Sequence, residues 1–359
     1  MHWKIPMLSR RNFIKFLGAS SLCASLGTGF GNENTSANVV QIDGSWFEFQ
    51  HHLAAEGRHW DQTLWNFTAQ QWHDKVREIA YAGLRDLVLL HVAMSGKSFY
   101  PSALMPKYEM HCDDPLEVIL NAADRYNINF FIPNDYFGDI TNSAVMMEDE
   151  QVHQLRLKAM EELVLKYGHH KSFYGWYFPF ETGINGGFDE RFMNYINKYS
   201  AIMTKMTPKA KKLIAPYGTR HVKFDGHYVS QLESLDVDFI AYQDEVGVRK
   251  SGVGETASIF EQLRMMHDKA GRSKLWADVE VFDFEENVYT SALIPAPKGR
   301  VVPQLEAVSP FVEKILIYQY LGLMNHPGTT AFAGHSESPR LYEELAESGW
   351  LKPTQDTFP

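Results

Sequence analysis

The segment Trp276-Ala277-Asp278-Val279-Glu280-Val281-Phe282 alternates large or acidic side chains with aliphatic ones. In an extended strand, successive side chains point to opposite faces. Trp276, Asp278, Glu280 and Phe282 therefore share one face, and Leu275, Ala277, Val279 and Val281 share the other. A second run, Trp176-Tyr177-Phe178-Pro179-Phe180-Glu181, ends on an acid, and Tyr242-Gln243-Asp244-Glu245 carries two. Carboxyls inside a protein are costly unless they are hydrogen-bonded or placed for chemistry. Glu181 and Glu280 stand nearest the C-terminal ends of their runs and are the candidate catalytic residues. Asp43 and Asp278 read as structural groups that bond to neighbouring strands. Asp244 stays open between a place in the site and the approach to a turn at Gly247, and either Asp244 or Asp278 could replace one of the pair.

Two opposed carboxyls among aromatic rings suit cleavage of a glycosidic bond. One protonates the leaving oxygen, while the other attacks the anomeric carbon or activates water. Trp46, Tyr136, Trp176, Tyr242, Trp276 and Tyr318 would offer flat apolar faces to sugar rings, although core packing is the alternative for each. Gln243 and Asp244 join them as candidate substrate-binding residues.

Residues at such positions need a scaffold that brings strand ends together. Short apolar or aromatic runs occur at 39–49, 84–95, 128–137, 173–181, 211–219, 237–247, 274–282 and 314–322, rich in the residues that strands favour. Helix signals lie between them. Thr68 and Gln71 form a capping box ahead of Trp72, Val76 and Ile79, with Gly83 as the stop. Asp114-Pro115-Leu116-Glu117 opens a second helix, and Ile259, Leu263, Met266 and Ala270 line a third before Gly271. Strict alternation of strand and helix implies parallel strands with helical crossovers. Eight such units predict a single-domain (β/α)8 TIM barrel over residues 38–359. Connections from helix to strand are tight. Those after the second, third and seventh strands are long, the last running from Asp283 to Val302, so the site belongs at the strand C-termini.

With 22% charged and 45% hydrophobic residues, the 359-residue chain has the composition of a folded domain. Net charge is −10, and beyond residue 37 there are 30 basic residues against 43 acidic ones. Such a body repels phosphate backbones and anionic lipid, so nucleic acid and membrane surface are not expected partners. The opening Ser9-Arg10-Arg11-Asn12-Phe13-Ile14-Lys15, followed by an uncharged Gly/Ser/Ala-rich stretch to Phe30, resembles a twin-arginine export signal. That stretch is too short and too polar for a stable membrane span. Residues 1–37 are thus expected to be a signal segment read by the twin-arginine machinery, with the mature protein periplasmic or secreted. Cys23 and Cys112 are too few for a disulfide framework. His51-His52, His169-His170 and His111-Cys112-Asp113 lack the spacing of a zinc signature, so neither metal nor cofactor is expected.

The run Phe173-Tyr174-Gly175-Trp176-Tyr177 leading to Glu181, together with Tyr242-Gln243-Asp244-Glu245-Val246-Gly247, resembles a bacterial family catalogued as domain of unknown function 4434. The resemblance spans most of residues 38–325 and implies a TIM barrel acting on carbohydrate. More distantly, acids on the fourth and seventh strands are similar to the arrangement in clan A of the retaining glycoside hydrolases. That similarity implies Glu181 as acid/base and Glu280 as nucleophile. Clan A usually places Asn before the acid/base, whereas this chain has Phe180, which leaves Gln243 to meet the sugar 2-hydroxyl. The expected function is an exported glycoside hydrolase working on an oligo- or polysaccharide. A metal-dependent sugar isomerase or epimerase barrel and a non-catalytic glycan-binding barrel are the alternatives.

Overall fold

The computed structural model describes residues 39–134 and 142–354. The expected signal segment and Tyr136 lie outside them. Eight parallel strands close into one barrel in chain order. They are β1 (Ile42–Phe47), β2 (Asp86–Leu89), β3 (Asn129–Pro133), β4 (Phe173–Tyr177), β5 (Lys211–Ile214), β6 (Phe239–Gln243), β7 (Lys274–Glu280) and β8 (Lys314–Tyr318). β8 closes the ring by pairing in parallel with β1. The expected TIM barrel is the observed fold.

The strands are buried on both faces, and the two faces serve different layers. Outward side chains such as Phe130, Trp176, Ile240, Ala277 and Val279 join the large apolar shell shared with the helices. Inward side chains, among them Trp46, Phe131, Phe239 and Trp276, fill the barrel as a separate cluster to which every strand contributes. The interior is therefore a packed core, with Phe239 stacked on Trp276 at 4.2 Å between ring centres. Two strand glycines make room for it. A Cβ on Gly44 would lie 2.3 Å from the Asp86 carbonyl oxygen, and one on Gly175 would lie 2.7 Å from the Phe131 ring and 2.6 Å from the Lys211 carbonyl oxygen. The Gly175→Ala variant is expected to lose about 1–3 kcal/mol through overpacking. A urea titration should show this as a lower midpoint at unchanged slope, and an unchanged midpoint would mean that β4 can shift to accept the methyl group.

The helices start where the sequence says they should. Thr68 and Gln71 form the reciprocal capping box of Ala69–Tyr81, and Asp114 accepts from the Glu117 N–H ahead of Pro115–Tyr126. Only Asn127 and Ile128 separate that helix from β3. Connections on the opposite side are longer. After β2 they include the small hairpin Ala93–Met94 with Lys97–Ser98.

The segment from Asp283 to Val302 departs from the expected open loop. Phe282–Phe284 pairs antiparallel with Leu293–Pro295, and a helix begins at Lys298. Phe284 and Leu293 are buried, so the hairpin is anchored to the barrel through its own apolar residues. The connection after β1, from Glu48 to Thr68, is also long and carries the short helices Glu56–His59 and Asp61–Trp65. It brings residues to the site that the sequence reading did not assign.

Candidate active site

A cavity of about 380 Å³ opens at the C-terminal end of the strands, and Glu181, Gln243, Asp278, Glu280 and Tyr318 all line it. Each arrives by a different route. Asp278 and Glu280 follow from the alternation of β7, in which Trp276 points inward below them. Glu181 lies beyond the end of β4, past Pro179, and is half-buried. Tyr177, inward on β4, donates from its hydroxyl to Glu181 Oε1 at 2.8 Å. Gln243, at the end of β6, donates from Nε2 to Glu181 Oε2 at 2.7 Å and to the Ala215 carbonyl at 3.3 Å. Both Glu181 oxygens are thereby held, and the Gln243 amide is a positioning group for that carboxyl.

Glu280 is held by the loop after β6. Its Oε2 accepts from the Val248 N–H at 2.8 Å. A Cβ on Gly247 would come within 2.9 Å of the Glu280 Cβ and 3.0 Å of its Oε2. The glycine is thus required by the close approach of the carboxyl to the backbone, beyond any turn it marks. Behind the strand, Asp244 accepts from the Glu280 and Val246 N–H groups and from Gln304 Nε2 at 2.6 Å. Glu245 takes a positive φ of 54°, and its Oε2 accepts from the Gly218 and Thr219 N–H groups at 2.8 and 3.2 Å. That buried bond ties the loops after β5 and β6 together, and nothing in the sequence pattern signalled it.

Burial dominates the electrostatics. It raises Glu181, against the opposing hydrogen bonds from Tyr177 and Gln243. It raises Asp278 well above its ordinary value despite the Trp46 indole, with the charges of Glu280, Glu181 and Asp244 adding to the rise. Burial also raises Asp244 and Glu280, and their mutual repulsion lifts Glu280 further. A site of this kind keeps protons that exposed carboxyls would have lost, which an acid catalyst requires.

The structure moves five of the candidate substrate-binding residues away from the cavity. Trp46 packs inside the barrel against Tyr177 at 4.9 Å, and Trp276 sits deeper against Phe239. Trp176 faces the helices and donates to Thr207 Oγ1 at 2.8 Å. Tyr242 also faces outward, its hydroxyl 2.7 Å from that of Tyr228 and 3.1 Å from His267 Nε2. Asp244 shares this outward parity, and its oxygens are consumed as described. The reason is the two-residue period itself: with Gln243 inward, both its neighbours must point out. Tyr318 does line the cavity, its hydroxyl 3.2 Å from His51 Nε2, and Glu280 is bonded by the Val248 N–H. Asp43 stays at the other end of β1, beside Asp86 and Lys314, as a structural acid.

In their stead the cavity is lined by His52, Glu56 and His91 from the loops after β1 and β2, and by Tyr217, Lys250 and Tyr289 from later loops. His91 donates from Nε2 to the Gln50 carbonyl at 2.8 Å, and burial lowers its pKa to about 4, so it is neutral in use. A second groove of about 700 Å³ shares Glu181 and Tyr217 with the cavity and continues past Asn185, Lys223 and His227. Glu181 stands where the two meet. Two groups of possible metal ligands exist among the described residues, His59 with Glu285 and His335, and Glu117 with His169 and His170. None of these six residues lines the cavity.

Just behind the site, Glu48 is fully buried, and its Oε1 accepts from Trp60 Nε1 at 2.8 Å and Gln319 Nε2 at 2.6 Å. Burial, reinforced by the charge of Asp61, raises its pKa from 4.5 to about 8. The folded state therefore binds this proton more tightly than the unfolded chain does. Its contribution to stability is full below pH 4.5 and is lost as pH rises to about 8. The melting temperature should fall across that window, and Glu48→Gln should flatten the fall. An equal slope in the variant would place the proton elsewhere.

A closed eight-stranded parallel barrel with its acidic cavity at the strand C-termini defines the class as a TIM barrel with a top-face site. The chain belongs to the family described as domain of unknown function (DUF4434), which matches residues 42–331. Its fold is similar to that of a provisionally assigned alpha-L-fucosidase from Bacteroides thetaiotaomicron VPI-5482, at 18% identity and a TM-score of 0.66, over 88% of this chain and 97% of that one. It is similar also to the endo-beta-1,4-mannanase of Thermotoga petrophila, at 10% identity and a TM-score of 0.57, over 90% and 79% of the two chains. The endo-1,4-beta-mannanase of Rhizomucor miehei follows at 8% identity and a TM-score of 0.52, over 86% and 95%. No curated protein matches the sequence.

Proposed function

We propose that this protein is an exported glycoside hydrolase in which Glu181 and Glu280 cleave a glycosidic bond by double displacement. The observation that carries the reading is their convergence: one carboxyl follows β4, the other ends β7, and both line a single cavity at the barrel mouth. Burial keeps Glu181 protonated to higher pH than an exposed glutamate. It protonates the leaving oxygen while Glu280, once ionised, attacks the anomeric carbon. Glu181 then takes a proton from the water that releases the sugar. The groove beyond Glu181 would accommodate the leaving part of the chain, and the cavity the sugar that is attacked. The glycan-active names of the structural neighbours agree with this reading at the level of fold.

The test is incubation of the purified protein with a panel of bacterial, plant and host glycans, read by mass spectrometry. Release of smaller saccharides is the expected result, and an unchanged panel after prolonged incubation would favour a barrel that only binds glycans.

Export rests on Arg10 and Arg11 with the uncharged stretch that follows. The mature barrel would begin near Asn38, in the periplasm or outside the cell. No helix among the described residues is long and apolar enough to cross a membrane. Replacing both arginines with Lys should leave precursor in the cytoplasm, and normal secretion of that variant would remove the proposal.

A further inference from the structure

Lys250 is the one Lys or Arg among the described residues lining the cavity that holds Glu181 and Glu280. Its ammonium stands 5.2 Å from the centre of the Tyr217 ring and 5.7 Å from that of Tyr289. Two rings that also line the cavity thus fix the cation in place. Its ion pair is long, 3.9 Å to Glu245 Oε1. The other oxygen of that carboxylate already accepts from the Gly218 and Thr219 N–H groups. The two candidate catalytic acids have partners of their own: Glu181 is held by Tyr177 and Gln243, and Glu280 by the Val248 N–H. An ammonium with three donors thus faces a binding cavity with one distant carboxylate and the Tyr289 hydroxyl as its partners. A neutral sugar would strip water from that charge and return little.

We propose that the sugar bound in this cavity carries an anionic group, either the carboxylate of a uronic acid or a sulfate ester, and that Lys250 receives it between Tyr217 and Tyr289. The inference rests on the hydrolase reading for the orientation of the sugar, and it adds the charge class of the substrate. The alternative role for Lys250, a counter-ion to Glu245 alone, would give no preference among ligands.

The test measures affinity by calorimetry on Glu181→Gln protein, so that binding is read without turnover. One arm uses uronic-acid oligosaccharides and their carboxyl-reduced counterparts. The other uses sulfated oligosaccharides and their desulfated counterparts. At least one charged ligand should bind about tenfold or more tightly than its neutral counterpart, with the preference weakening as salt is added. Adding Lys250→Gln should bring that ratio close to one, and Lys250→Arg should restore most of it. Unfolding curves confirm that both variants are folded. No preference for any charged member, or a ratio unchanged by Lys250→Gln, overturns the proposal. Cleavage of a neutral glycan by the wild-type protein without any charge preference would remove this inference while leaving the hydrolase reading intact. Preference without cleavage would do the reverse.

Discussion

Glu280→Gln should lower turnover by about two orders of magnitude or more on every substrate, because the amide keeps the shape and the Val248 N–H contact but cannot attack the anomeric carbon. Glu181→Gln should lose a comparable factor, about two orders of magnitude, only where the leaving group needs a proton. With an activated aryl glycoside the loss in the bond-breaking step should be much smaller. That asymmetry separates the two roles, since a merely structural defect would slow both substrates alike. Steady-state kinetics of the two variants on a natural glycan and on its aryl glycoside are the measurement. Near-normal turnover by both variants would show that the catalytic carboxyls lie elsewhere, with Asp278 as the next group to change.

The second large effect concerns pH. Glu280 is raised by burial and then by the negative charge of Asp244, which contacts the Glu280 N–H from behind the strand. As nucleophile it must be ionised, so activity is lost as pH falls through its raised pKa. The acid limb of kcat/KM should therefore lie above the ordinary carboxylate range of about 4–5. Asp244→Asn removes the repelling charge while preserving an acceptor for the strand N–H. The acid limb should then move to lower pH by about one unit, the scale of a neighbouring charge. A limb that stays in place would mean that another group controls it.

The alternation of β7 was readable because a regular strand has a fixed period of two and Asp278 and Glu280 keep it. The barrel was readable for a related reason: strands buried on both faces are mostly apolar, and capped helices separate them. β6 obeys the same period, yet the aromatic ring of Tyr242 and the charge of Asp244 drew attention to the face that the pleat turns outward. β4 was harder. Its pairing with β3 shifts register between Phe130 and Phe131, so that Phe131 meets Gly175 where Tyr174 would be expected. An irregularity of that kind has no signature in the residue types around it. The cavity residues His52, Glu56 and Lys250 come from loops whose paths are set by tertiary contacts, such as the bond from Glu245 to the Gly218 and Thr219 N–H groups. Local sequence carries little of that information.

The central claim is that Glu280 forms a covalent bond to the sugar while Glu181 serves as acid and base. A 2-deoxy-2-fluoro glycoside with a good leaving group, built on the sugar that the protein releases, slows breakdown of such an intermediate enough for it to be isolated. Peptide mapping of the inactivated protein should find the sugar on Glu280. A sugar attached to Glu181 or Asp278, or no attachment together with a product of inverted anomeric configuration, would contradict the claim.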